Sequence, residues 1–280
     1  MSKLGKIFKG LTAYDHFLVF LIILSVIKIV NVFVLSGIAG GLHFVKLGVA
    51  LMVISTVLFL IFRFFLDKKK GYKNVLISAL LILLVLSHGD PEPVRGLVLI
   101  LLLFVAKFLV KYKGENIFNP IVFAIGVTTL LSFVIPAMLV PPLDWSGIDI
   151  RFSMFGMQFP LPIIPIFLAL IFNVARVKRH PLAISFIVAS LLVGYILGQF
   201  EGEFLSNFII ILFVGAAIII EPKTSPIKIK EQVIYGFSIA MVTILFKVLN
   251  IPNSIVMGLL IGNLAYFIFK NFKKGIIKQQ

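Results

Sequence analysis

The residues of this chain best suited to chemistry sit in two short polar stretches, Lys107-Phe-Leu-Val-Lys-Tyr-Lys-Gly-Glu-Asn-Ile-Phe-Asn-Pro120 and Glu221-Pro-Lys-Thr-Ser-Pro226. In the first, Lys107 and Lys111 stand one helical turn apart at the end of an apolar run. Gly114 then breaks the helix, and Asn119-Pro120 opens the next one. Asn is a favoured N-cap and Pro suits the first helical position, so the restart is well specified. Lysines beside a helix N-terminus can cradle an anion such as a phosphate, since ammonium charge and helix dipole both favour it. The same lysines also supply the positive charge that cytoplasmic loops of membrane proteins carry, and on residue chemistry alone this second reading is the stronger.

The second stretch offers a carboxylate, Glu221, and two hydroxyls, Thr224 and Ser225. A carboxylate at the end of an apolar run can hydrogen-bond ring nitrogens or line an ion path, because ionisable groups at such depth are costly to keep. Equally, a Ser or Thr before Pro226 can simply cap the following helix. Lys28 is the other unusual charge. It lies mid-way along the first apolar run, with Ser25 three residues before it and Asn31 three after, a narrow polar stripe at helical spacing. Such a lysine either faces a bundle interior or snorkels to the interface. His16, His43, His88 and His180 lack metal-ligand spacing, so no metal site is expected, although His88-Gly-Asp90 could titrate near neutral pH. There is no dinucleotide fingerprint, Walker loop or nucleophile elbow.

The elements that must position these residues are membrane spans. The chain has 280 residues, 60% of them hydrophobic and only 13% charged, with a mean hydropathy of +1.15. A soluble domain is closer to half apolar and about a quarter charged. Apolar runs near the ~20 residues needed to cross a bilayer recur from end to end. Ten spans can be drawn, at roughly 15–35, 42–66, 74–88, 93–112, 120–140, 160–177, 181–199, 204–220, 231–249 and 252–270. The expected fold is an all-α integral membrane protein, a single polytopic domain over residues 1–280.

Basic residues set the orientation. Of 26 lysines and arginines, 21 fall in alternate connections, including Lys3, Lys6, Lys9, Arg63, Lys68, Lys107, Arg176, Lys223 and Lys270. The opposite loops collect Asp90, Glu92, Asp144, Asp149, Glu201 and Glu203. The positive-inside rule then puts both termini in the cytoplasm of a multi-pass cell-membrane protein, and the first span reads as retained rather than cleaved. Orientation and contact with anionic lipid account for the net charge of +15, so nucleic acid is not expected as a partner. With no cysteine, the chain cannot ligate an iron–sulfur cluster or form a disulfide.

Ten spans divide into five plus five, about 14–140 and 155–271, and an odd-numbered repeat must be inverted. Span three then corresponds to span eight. Each ends in an acid followed by Pro and a second Pro, in Ser87-His-Gly-Asp-Pro-Glu-Pro93 and in Glu221–Pro226.

The two polar stretches, in this order and spacing, resemble the hinges of the NqrB/RnfD family. In that family a basic helix end and Gly lead into a Phe-Asn-Pro turn, and an acid-Pro-x-Thr-(Ser/Thr)-Pro turn follows later. The likeness runs from Tyr14 to about Lys270 and takes in Asp144-Trp-Ser-Gly147. It implies a membrane subunit of flavin-dependent electron-transfer complexes that couple redox chemistry to ion movement. The implied scaffold is a five-span inverted repeat like that of urea and ammonium channels. It further implies redox partner subunits, and flavin (FMN or riboflavin) held near Lys107, Lys111, Asn116, Phe118, Asn119, Glu221, Thr224 and Ser225. The Ser-Gly-Ala-Thr turn that carries covalent FMN in that family is missing. Its nearest match is Ser146-Gly-Ile-Asp149, which has no Thr, so non-covalent flavin is expected and covalent FMN is not. The competing expectation is a small-solute transporter or channel on the same scaffold, without cofactor.

Overall fold

Where a backbone meets hydrocarbon it must satisfy its own hydrogen bonds, and helices are the simplest way for a single chain to do so. The computed structural model describes residues 12–65, 72–86, 93–136, 151–154, 157–198 and 204–277. Nine helices fill most of them: α1 (Ala13–Phe65), α2 (Lys73–Val85), α3 (Pro93–Phe108), α4 (Pro120–Ser132), α5 (Ile163–Val177), α6 (His180–Ile196), α7 (Phe204–Phe213), α8 (Ile229–Val248) and α9 (Ser254–Ile277). A π turn, Val214–Ile218, extends α7. Two antiparallel hairpins interrupt the helices: β1 (Lys111–Tyr112) with β2 (Glu115–Asn116), and β3 (Arg151–Met154) with β4 (Met157–Pro160).

By length and composition α1, α8 and α9 (its Ser254–Phe272 part) can cross a membrane, and the other apolar helices are shorter. The surface is apolar to match. Val34, Ile38, Phe64, Phe65 and Phe272 are each more than two-thirds exposed, an inside-out pattern that water would not tolerate over so many large side chains. Inside, one continuous core runs through every helix from α1 to α9.

The sequence places a loop at 36–41, but the structure keeps helix on both sides of a single break. Gly37 has φ 68° and ψ −172°, a conformation suited only to glycine, and divides α1 without ending it. Thr12 and Asp15 cap the start of α1 reciprocally, Thr12 N to Asp15 Oδ2 at 3.0 Å and Asp15 N to Thr12 Oγ1 at 3.3 Å. Asp15 also pairs with Lys73, so α1 and α2 begin at the same end of the bundle. Lys28 resolves to the interior reading, fully buried rather than snorkelling.

Helices approach most closely where glycine allows it. A Cβ at Gly236 of α8 would lie 2.7 Å from the carbonyl oxygen of Leu182 in α6, and α6 and α8 form the most extensive helix pair. The acid-Pro stretch at Ser87–Pro93, with His88 and Asp90, lies outside the described residues apart from Pro93. So do Trp145 and Ser146–Asp149.

Candidate binding site between the two hinges

The first hinge is built by the backbone. Helix α3 unwinds after Phe108, with Val110 N bonded to Val105 O at 3.1 Å. The chain then turns through a two-residue hairpin in which Lys111 opposes Asn116 and Tyr112 opposes Glu115. Lys113 (φ 50°) and Gly114 (φ 80°) form its tip, both left-handed as a type I′ turn requires. Gly114 therefore makes a hairpin, where the sequence suggests only a helix stop. Lys270 of α9 pairs with Glu115 and ties this hairpin to the bundle. Asn119 caps α4 as expected, its Oδ1 accepting from Ile121 N at 3.1 Å, with Pro120 in the first helical turn.

Asn119 does more than cap. Its Nδ2 donates to the carbonyl of Ile218, the last residue of the π turn, at 3.1 Å. One side chain thus joins the two hinges across 99 residues of sequence. Beyond the π turn the chain closes on Glu221, whose carbonyl accepts from Thr224 N, Ser225 N and Ser225 Oγ (3.2, 3.1 and 2.7 Å). Thr224 Oγ1 donates to the Glu221 carboxylate at 3.3 Å, and Arg179 Nε to Ser225 Oγ at 3.2 Å. Helix α8 starts from Lys228 without a side-chain cap. Thr224 and Ser225 therefore hold Glu221 in place rather than capping the next helix.

Both hinges face one cavity of about 240 Å³. Its polar wall brings together Lys107, Asn116 and Asn119 from the first hinge, Glu221 and Lys223 from the second, and Tyr14, Ser78 and Asn173 from α1, α2 and α5. Phe17, Ile77, Leu81, Leu103 and Ile218 supply much of the apolar wall. Lys107 Nζ donates to Ser78 Oγ at 3.0 Å. Glu221 is half-buried and lines this cavity. Burial among protein atoms pushes its carboxyl up to about 7, against the pull of Lys107, the Thr224 hydroxyl and Lys223.

The structure gathers four of the eight residues singled out in the sequence at the cavity: Lys107, Asn116, Asn119 and Glu221. The other four do not line it. Lys111 sits over the Phe108 ring, 5.7 Å from its centroid, and Phe118 packs against Phe123 with centroids 5.6 Å apart. Thr224 and Ser225 are buried supports of the Glu221 turn. Ser78, Asn173 and Tyr14 join the cavity wall without having stood out in the sequence. A lone Asn in the apolar run Leu170-Ile-Phe-Asn173 was the available signal for Asn173. Its Nδ2 is buried without a protein partner, so it offers a hydrogen-bond donor at the cavity.

No model of a known protein family matches this chain, and no curated protein matches it. The functional reading therefore stands on the cavity.

Proposed function

We propose that this protein is a membrane-embedded flavin-binding subunit that passes electrons within or across the membrane to partner proteins. In this reading it has ten spans in two inverted five-span repeats, both termini are cytoplasmic, and flavin sits non-covalently between the hinges. The observation that carries it is the convergence of the two hinges on one cavity, with the otherwise unpartnered Asn173 amide at its wall. The ten-span reading is supported by the Gly37 break, which gives ten helical segments if α7 and its π turn count as one.

The lining suits a planar heterocycle. Apolar side chains can cover ring faces, while Asn116, Asn119, Asn173, Ser78 and Tyr14 present hydrogen-bonding groups to ring edges. At about 240 Å³ the cavity lies slightly below the usual ~300–1,000 Å³ of small-molecule sites, so it takes a ring system and leaves a ribityl or phosphate tail at the mouth. Lys107 and Lys223 are the cations near enough to the cavity to compensate an anionic group. The bound flavin would supply one- and two-electron chemistry. The chain's own residues orient the ring, and Glu221, titrating near neutral, holds or releases a proton beside it.

The cavity's small volume also supports a second reading, a site for a small polar solute that crosses the membrane on the same scaffold. Absorption spectroscopy separates the two. Protein purified in mild detergent should show the visible bands of flavin, and denaturation should release flavin fluorescence into the filtrate. A colourless preparation that moves a solute across liposomes would sink the redox reading. Fluorescence that stays with the denatured chain would contradict non-covalent binding.

A further inference from the structure

Lys28 is distant in sequence from both hinges and takes no part in the cavity. It is fully buried, and its ammonium donates to two backbone carbonyls at the end of α2, Leu84 O at 2.7 Å and Leu86 O at 2.5 Å. The ring of Phe44, from the other half of α1, lies 5.9 Å away, within cation–π range. Because Asp15 and Lys73 pair at one end of the bundle, depth can be counted from there. At ~1.5 Å per residue both Lys28 and Leu86 lie about 20 Å in, short of the ~30 Å hydrocarbon thickness. The helical part of span three therefore ends part-way across the membrane, with its last carbonyls turned toward a cation.

A helix C-terminus carries partial negative charge, and carbonyls freed at the end of a helix that stops short in a membrane are the groups that coordinate monovalent cations there. Leu86, the residue closing α2, is extended (φ −66°, ψ 131°), so helical pairing ends at this point. Carbonyl oxygens, a helix dipole and an aromatic face together make a coordination shell for a small, singly charged cation.

We propose that the intramembrane end of α2 is a monovalent-cation site whose cation is supplied in cis by Lys28. The tethered ammonium keeps the site loaded whatever the ionic composition outside. Folding of the native protein is then insensitive to the choice of monovalent cation. Shortening residue 28 turns the site into one that a free sodium, potassium or methylammonium ion can enter.

The test solubilises membranes containing wild type or Lys28→Ala in chloride salts of sodium, potassium, methylammonium or the bulky N-methylglucamine cation, at equal ionic strength. The readouts are the fraction of monodisperse protein and its melting midpoint. Wild type should respond equally to all four. Lys28→Ala should gain several-fold in monodisperse fraction in at least one small cation over N-methylglucamine, with a midpoint about 5–10 °C higher at saturation. No difference among the salts for Lys28→Ala, or the same difference in wild type, would overturn the proposal. A second pair reads the charge itself. Lys28→Arg should retain more monodisperse protein than the neutral, similarly long Lys28→Met. Equal behaviour of the two, whether both fold or both fail, would show that the site does not select a cation.

Discussion

The two hinges line the same cavity but are built in opposite ways. The Lys107–Pro120 hinge is a backbone construction, a type I′ hairpin followed by a capped helix start, and its backbone hydrogen bonds are local. The Glu221–Pro226 hinge is a side-chain construction. Thr224 and Ser225 both bond Glu221, Arg179 braces Ser225, and the helix entering the hinge relaxes into a π turn. π turns are often found at functional sites, where they shift a residue out of helical register. The contrast teaches a division of labour. The first hinge is a frame that fixes the cavity wall, and the second carries the titratable group. Asn119 belongs to both arrangements.

Four changes can break or sharpen that contrast. Asn119→Ala has the largest expected effect. It removes the N-cap and leaves the buried Ile218 carbonyl with one bond fewer, together about 2–4 kcal/mol. Unfolding in mixed detergent and SDS should show the loss, and Asn119→Asp should recover the cap portion only. Ser225→Ala deletes the hydroxyl between Arg179 and the Glu221 carbonyl, and should cost about 1–2 kcal/mol by the same measurement. If the second hinge were only a loop, this substitution would be silent. Gly114→Ala should cost about 1 kcal/mol because of its positive φ, without altering ligand content, as expected of a frame.

The fourth change concerns pH. Glu221 binds its proton more tightly in the folded chain than in the unfolded one, where its ordinary value is 4.5. Its contribution to stability is therefore fully present below pH 4.5 and is lost as pH rises through about 7. A melting series from pH 5 to 8 should slope downward in wild type, and Glu221→Gln should remove that part of the slope. An unchanged slope in Glu221→Gln would mean that the second hinge does not carry the titration.

Much of the first hinge was legible in sequence because its rules are local. Asn119-Pro120 announces a helix start whatever surrounds it, and Gly114 announces a break. The hairpin itself was missed, since Tyr112-Lys-Gly-Glu115 has too few flanking residues to show strand alternation. The convergence of the hinges was not legible from residue types, because a bond from Asn119 to a backbone carbonyl leaves no signature at residue 218. The same holds for Lys28. Its depth in an apolar run left it between the interior and the interface, and backbone carbonyls as its partners leave no mark in the sequence. Gly37 misled in the other direction. The gap between the spans drawn at 15–35 and 42–66 reads as a loop, whereas one glycine outside helical geometry lets the helix continue past it.

Flavin content, measured as fluorescence released on denaturation and normalised to protein, tests the central claim most directly when wild type is set beside Asn173→Leu. The substitution replaces the unpartnered donor with an apolar side chain of similar shape, far in sequence from either hinge. If flavin sits between the hinges, wild type releases it and Asn173→Leu releases several-fold less at an unchanged melting midpoint. Equal release from the two proteins would place the cofactor elsewhere, and no release from either would contradict flavin binding altogether.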